Sequence, residues 1–214
     1  MATVAAYIDG FNLYHGMKTK FARRYLWLNV VELVRQLRPD DEVVVVRYYT
    51  TLVRSEPDAA LRQQHYLDAL QMRCGAELEV RLGWFKPKKL APCKRCAQDW
   101  LCGCPRKVRS YEEKETDVAL ATAMVADAAR RLADVTLLVS ADSDFAPAVR
   151  AVKDVRPEQR VILAMPPGNA KPHKRFTDLG SFSINETALR RSQLPEVVRD
   201  GKTRAERRRP EKWL

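Results

Sequence analysis

The sequence predicts an α/β domain built on a central parallel sheet, and three observations predict it. Short apolar, β-prone runs such as Thr3–Ile8 and the four consecutive valines within Glu42–Tyr49 read as strands buried on both faces. Stretches with apolar residues at helical spacing separate those runs. Such alternation implies right-handed crossovers between parallel strands, with ligands bound beyond the strands' carboxyl ends where the strand order reverses.

The elements follow in order. Thr3–Ile8 ends abruptly at Asp9-Gly10, which reads as a strand followed by a turn, so Asp9 stands at a strand's carboxyl end. Leu28–Leu37 has helical spacing and stops before Pro39-Asp40, and Glu42–Tyr49 is the next strand. Ala59–Arg73 is helical and closes near Gly75, and Glu77–Leu82 alternates into a third strand. From Trp84 to Arg109 the chain is basic, cysteine-bearing and without periodicity, which marks an inserted arm. Regular structure resumes with a helix over Asp117–Leu132, for which Thr116 is placed as the N-cap. Val135–Val139 is a strand that runs into Ser140-Ala-Asp-Ser-Asp144, and a helix starts near Phe145 with Pro147 in its first turn. Val161–Met165 is a further strand, Lys171–Asp178 a short helix and Ser181–Ile184 an edge strand. The organisation is one domain over 1–198 that contains the insertion at 84–109. A basic tail follows at 199–214, either mobile or docked through Trp213.

Bulk composition bounds the function. The 214 residues suffice for one well-filled core, and 46% hydrophobic with 30% charged residues is the balance of a globular protein. Lys and Arg number 38 against 27 Asp and Glu, a net +11 that favours a polyanionic partner, nucleic acid first. No stretch approaches the roughly 18 apolar residues of a membrane span, and no basic-then-apolar leader opens the chain. A cytoplasmic protein without a membrane partner is therefore expected.

Ser140-x-Asp142-Ser143-Asp144 puts two carboxylates in one tight turn, a spacing suited to oxygen ligation of magnesium or manganese. The same residues have ordinary roles available: Asp144 as an N-cap and Asp142 as a turn brace. Asp9 changes the weighing, because a third carboxylate at a neighbouring strand end is costly to crowd there unless a cation neutralises the group. Asp117 supplies a fourth if its helix points its N-terminus at the same edge; otherwise it pairs with the helix dipole. Asn12 and Ser140 can orient a carboxylate or a metal-bound water, and Asn12 is equally natural as a turn residue.

Tyr7-Ile-Asp-Gly-Phe-Asn12, Glu113-Lys-Glu-Thr-Asp117 and Val139-Ser-Ala-Asp-Ser-Asp-Phe145 together resemble, in order and spacing, the three acidic motifs of the NYN family within the PIN-like nuclease group. The resemblance implies a Rossmann-like, PIN-type three-layer fold and metal-dependent ribonuclease activity. It implies an acidic metal site at Asp9, Asp117, Asp142 and Asp144, with Asn12 and Ser140 as companions; Lys114, inside the matched motif, either contacts phosphate or pairs with a neighbouring Glu.

Cys93-x2-Cys96-x5-Cys102-x-Cys104 has enough thiolates in a short span to close tetrahedrally on structural zinc, with an iron–sulfur cluster or unligated thiols as alternatives. Cys74, away from the cluster, reads as a core residue, and His15, His65 and His173 share no motif. Lys88, Lys89, Arg95, Arg106, Lys107 and Arg109, interleaved with Trp84 and Phe85, suit the arm to single-stranded or structured RNA, the alternative being that the aromatics, Trp100 above all, pack the small zinc lobe. The expected function is hydrolysis of RNA phosphodiester bonds with Mg2+ or Mn2+. A catalytically silent RNA-binding module and a metal-dependent phosphatase of small substrates are the rivals, and pairing into a homodimer is left open.

Overall fold

The computed structural model describes residues 1–54, 56–87, 96, 111–169, 171–201 and 203–213. Six strands, β1 (Thr3–Asp9), β2 (Glu42–Thr50), β3 (Leu78–Leu82), β6 (Val135–Val139), β7 (Arg160–Met165) and β8 (Gly180–Ser183), form one sheet in the order β3-β2-β1-β6-β7-β8. Every neighbouring pair in it is parallel. The chain winds outward from β1 through β2 to β3, then returns to β6 and winds the other way. The reversal falls between β1 and β6, the position at which such sheets bind ligands.

β1 shows why the sheet is sandwiched. Its residues from Val4 to Ile8 are all buried, and they divide by parity: Val4, Ala6 and Ile8 enter one apolar cluster, Ala5 and Tyr7 the other. The first cluster is covered by α1 (Gly10–Phe21), α2 (Val30–Leu37) and α3 (Pro57–Cys74), the second by α4 (Thr116–Ala129) and α5 (Ala146–Val155). The result is the expected α/β fold with a six-stranded parallel sheet between helical layers.

One polar row crosses the second face. Glu79, Arg47 and Tyr7 are register neighbours on β3, β2 and β1. Asp127 reaches them from α4, accepting from Tyr7 Oη at 2.8 Å and from Arg47 Nε at 2.8 Å, while Arg47 also pairs with Glu79. Each buried charge thereby finds an opposite one, as its loss of hydration requires.

Several local expectations are corrected. The turn after Asp9 is the N-terminus of the twelve-residue α1. Thr116 is not a cap but the first helical residue; Glu115 precedes it in the left-handed region at φ 79°, so α4 starts without an extended capping residue. Asp142, not Asp144, caps the short 3-10 turn Ser143–Phe145 that leads into α5. Lys171–Asp178 shortens to the 3-10 turn Lys174–Phe176. The arm, expected to lack regular structure, is rooted in an antiparallel ribbon of β4 (Trp84–Pro87) and β5 (Tyr111–Lys114).

The C-terminal residues dock. After α6 (Glu186–Arg191), β9 (Val197–Arg199) pairs with β10 (Glu206–Arg208), and Arg207 bonds Asp68 of α3 at 2.9 Å. Trp213 lies edge-on to Tyr66, with ring centroids 5.8 Å apart. Among the described residues no helix is long and apolar enough to cross a membrane.

Candidate active site

The site is assembled where β1 and β6 end. Asp9 closes β1 and caps α1: its Oδ1 accepts from the Asn12 backbone N–H at 2.9 Å. Its Oδ2 accepts from Ser140 Oγ at 3.0 Å, and Ser140, fully buried just after β6, also accepts the Asp142 backbone N–H at 3.0 Å. The Asn12 side-chain oxygen accepts the Ala141 N–H at 3.2 Å. The first turn of α1 and the loop after β6 are thus tied together twice, and Asp9 and Asp142 share a single hydroxyl as their strut. Asp142 in turn accepts the Asp144 N–H through Oδ1 at 2.9 Å. Asp9 and Asp142 thus each cap a helical turn in the same geometry that turns both toward one opening.

That opening is a cleft of about 450 Å³ whose lining includes Asp9, Asn12, Asp117 and Asp142. Phe11, His15 and Thr19 of α1 form one wall, and the turn at Pro167, Gly168 and Asn169 after β7 forms another. The walls are held close: a Cβ on Gly16 of α1 would come within 2.7 Å of the Pro167 carbonyl oxygen, so only glycine permits this approach. Gly10 is under the same constraint, 2.6 Å from the Tyr49 carbonyl oxygen, which seats the start of α1 on β2. Three carboxylates line the cleft, and no Lys or Arg does so among the described residues. Below it the Tyr48 phenol is pushed up in pKa by burial and, next, by the negative charge of Asp9.

Asp144 is exposed and does not line the cleft; Ser140 lies behind it as support. Asp117 lines it from the first turn of α4. Lys114 is half-buried at the end of β5, and Phe85 of β4 meets the Phe11 ring edge-on at 6.0 Å, so the root of the arm stands at the lip of the cleft. Lys88, Lys89, Arg95, Arg106, Lys107 and Arg109 lie outside the described residues, as do Cys93, Cys102 and Cys104; Cys96 is described and exposed. Cys74 is buried among the helices, its thiol pushed up to about 11 chiefly by burial.

The donors suit a hard divalent cation, being carboxylate and amide oxygens with a hydroxyl behind them. Among the described residues no three acid, histidine or cysteine side chains cluster closely enough to hold one ion. Asp9 and Asp142, joined through Ser140, are the carboxylates that could take part in holding one.

Phe11, His15, Thr19 and the turn after β7 were not among the residues singled out from the sequence. The signal for the first three was present: Phe11, His15 and Thr19 recur every four residues, as do Leu13, Met17 and Phe21, which are buried beneath them.

A parallel three-layer domain with an acidic cleft at its topological switch point is consistent with a PIN-like protein. The chain belongs to the NYN domain family, whose model matches residues 3–182 and so spans all three acidic motifs. It is similar to 6-hydroxy-3-succinoylpyridine 3-monooxygenase HspA of Pseudomonas putida, with 27% identity over 241 aligned residues covering 97% of this chain and 74% of that protein. It also resembles the crystal structure of a protein of unknown function from Vibrio parahaemolyticus, at 19% identity and a TM-score of 0.55, covering 90% of this chain and 96% of the other. That second likeness shows the fold.

Proposed function

We propose that the protein hydrolyses RNA phosphodiester bonds at the acidic cleft, using magnesium or manganese. The observation that carries the proposal is the meeting of Asp9, Asp117 and Asp142, from three different elements, on one cleft that no Lys or Arg lines among the described residues. A phosphodiester is itself an anion, and three carboxylates would repel it unless a cation stood between them. When bound, that cation would neutralise charge on the phosphoryl oxygens and make water a competent nucleophile. Asp9 and Asp142 would hold it, with Ser140 and Asn12 fixing their orientation. Asp117, on a separate helix, would orient the attacking water and take its proton as the bond from phosphorus to the leaving oxygen breaks. The leaving oxygen would depart with the bonding pair and take a proton from solvent water. The net charge of +11 would gather the polyanion, with Lys114 and the basic residues of the arm contacting its phosphates. The four cysteines of the arm, on the same proposal, hold a structural zinc.

The test is Asp9→Asn and Asp142→Asn. Asparagine is an equally good helix cap, so the fold is kept while the charge is lost. Manganese-supported cleavage of labelled RNA should vanish in both, and full cleavage by both would end the proposal. Salt-sensitive RNA binding without product would favour a silent binding module, and phosphate release from small esters with RNA left intact would favour a phosphatase.

The relative from Pseudomonas putida favours a second reading, in which this chain oxygenates a small hydroxylated pyridine. That reading requires dioxygen and an electron donor, and it predicts consumption of 6-hydroxy-3-succinoylpyridine that does not depend on manganese.

A further inference from the structure

A second cavity, of about 230 Å³, lies on the other side of α1, between that helix, α3 and the C-terminal residues. Its wall carries five aromatic rings, those of Phe11, Tyr14, Tyr48, Tyr66 and Trp213. Four cations, Lys18, Arg23, Arg62 and Lys212, also line it, against Glu56 as the one acid. Elsewhere arginines such as Arg38, Arg47, Arg156 and Arg207 are paired with carboxylates. None of the four around this cavity has an acid within salt-bridge distance among the described residues; Lys18 instead sits 5.6 Å from the centre of the Tyr14 ring. Trp213 and Lys212 lie beyond residues 3–182, so this wall is built by a segment outside the family match.

We infer that this cavity binds a planar aromatic ring carrying an anionic group. Aromatic walls offer stacking and edge-on contact to a flat ring, and unpaired cations beside them offer the anion charge-assisted bonds that water would otherwise supply. The volume is below the roughly 300 Å³ at which pockets for drug-sized ligands begin, which limits the occupant to one or two fused rings. Two sources carry that chemistry: a nucleoside monophosphate and a small aromatic carboxylate. The site is separate from the acidic cleft and does not depend on what the cleft does.

The experiment is calorimetric titration of the full chain, with EDTA present, against adenosine 5′-monophosphate, benzoate, adenosine and inorganic phosphate. The monophosphate, the benzoate or both should bind saturably, and adenosine and phosphate should each bind at least about tenfold more weakly, since each lacks half of the match. Arg62→Glu and Lys212→Glu should weaken binding by about tenfold or more each, and Asp9→Asn should leave it unchanged. Trp213→Ala is the companion variant for the ring contact. Binding of the monophosphate alone identifies a nucleotide site, and binding of benzoate alone identifies a carboxylate site. Absence of binding by both at millimolar concentration overturns the inference. So does binding that is indifferent to Arg62→Glu and Lys212→Glu, because the ligand then sits elsewhere.

Discussion

Removing one hydroxyl should loosen two of the cleft's acids together. Ser140 is fully buried and makes two bonds of 3.0 Å, donating to the Asp9 carboxylate and accepting from the Asp142 backbone. In Ser140→Ala the bond to a charged acceptor is lost, about 1.5–3 kcal/mol, and the Asp142 N–H is left without its partner, about 1 kcal/mol more. The sum, roughly 2.5–4 kcal/mol, lowers the melting temperature by about 5–16 °C for a chain of this length. Groups that orient ligands in this indirect way typically matter by about 10–100-fold in activity or metal affinity, so manganese-supported cleavage should fall by that factor. Circular-dichroism melts give the first quantity, and cleavage rates measured well below both melting temperatures give the second. A variant that melts like the parent would refute the strut. One that melts early yet cleaves RNA at the parental rate would refute its role in holding Asp9 and Asp142 for chemistry.

Alkaline pH should unfold the protein through its phenols. Tyr7, Tyr48, Tyr49 and Tyr66 are at most 7% exposed, and burial is the first cause raising each above the ordinary 10.0, with Tyr49 pushed up to about 12. Below pH 10 folded and unfolded chains both keep these protons. Above it the unfolded chain releases protons that the fold retains, so stability falls with rising pH by up to about 1.4 kcal/mol per pH unit for each tyrosine. Urea midpoints from pH 9 to 11 measure the slope, and phenolate absorbance showing all seven tyrosines titrating near pH 10 in the folded state would contradict it. For the arm, protein purified without chelators should contain about one zinc per chain on the four-cysteine hypothesis. A zinc content near zero in elemental analysis would remove the structural-metal proposal.

The strands were legible because burial on both faces leaves a strong mark: Thr3–Ile8 and the valines of β2 have no polar face to hide among loops. α1 was not, and the reason is physical. Gly10 and Gly16 are poor helix formers, and Lys18, Thr19 and Lys20 make the segment look like a surface loop. The helix is imposed from outside, by the Asp9 cap and by close packing that excludes any side chain at either glycine. α6 is only six residues long, capped by Asn185, and too short for a periodic signal. Pro172 stands where the Lys171–Asp178 helix would begin, and only one 3-10 turn follows it. At the site, the neighbourhood of Asp9 and Asp142 followed from strand order alone. Placing Asp117 required knowing how α4 leaves the arm, and the left-handed turn at Glu115 that sets this has no signature in a non-glycine residue. Asp144 differs from Asp142 only in the direction a tight turn gives each, which sequence spacing does not specify.

Because α1 carries both openings, its two faces can be compared directly. Phe11, His15 and Thr19 look into a cleft with three acids, while Leu13, Tyr14 and Met17 look into a cavity with four cations. Phe11 borders both, and Tyr48, beneath Asp9 and in the cavity wall, already registers the charge of that acid in its own raised pKa. The helix has little freedom to serve one site at the expense of the other. Its start is fixed by Gly10 against β2 and by the Asp9 cap, and its middle is fixed by Gly16 against the turn after β7. A ligand entering the cavity must therefore fit around α1 as it stands. A larger side chain at Gly16 would shift that one rigid element and disturb both openings together.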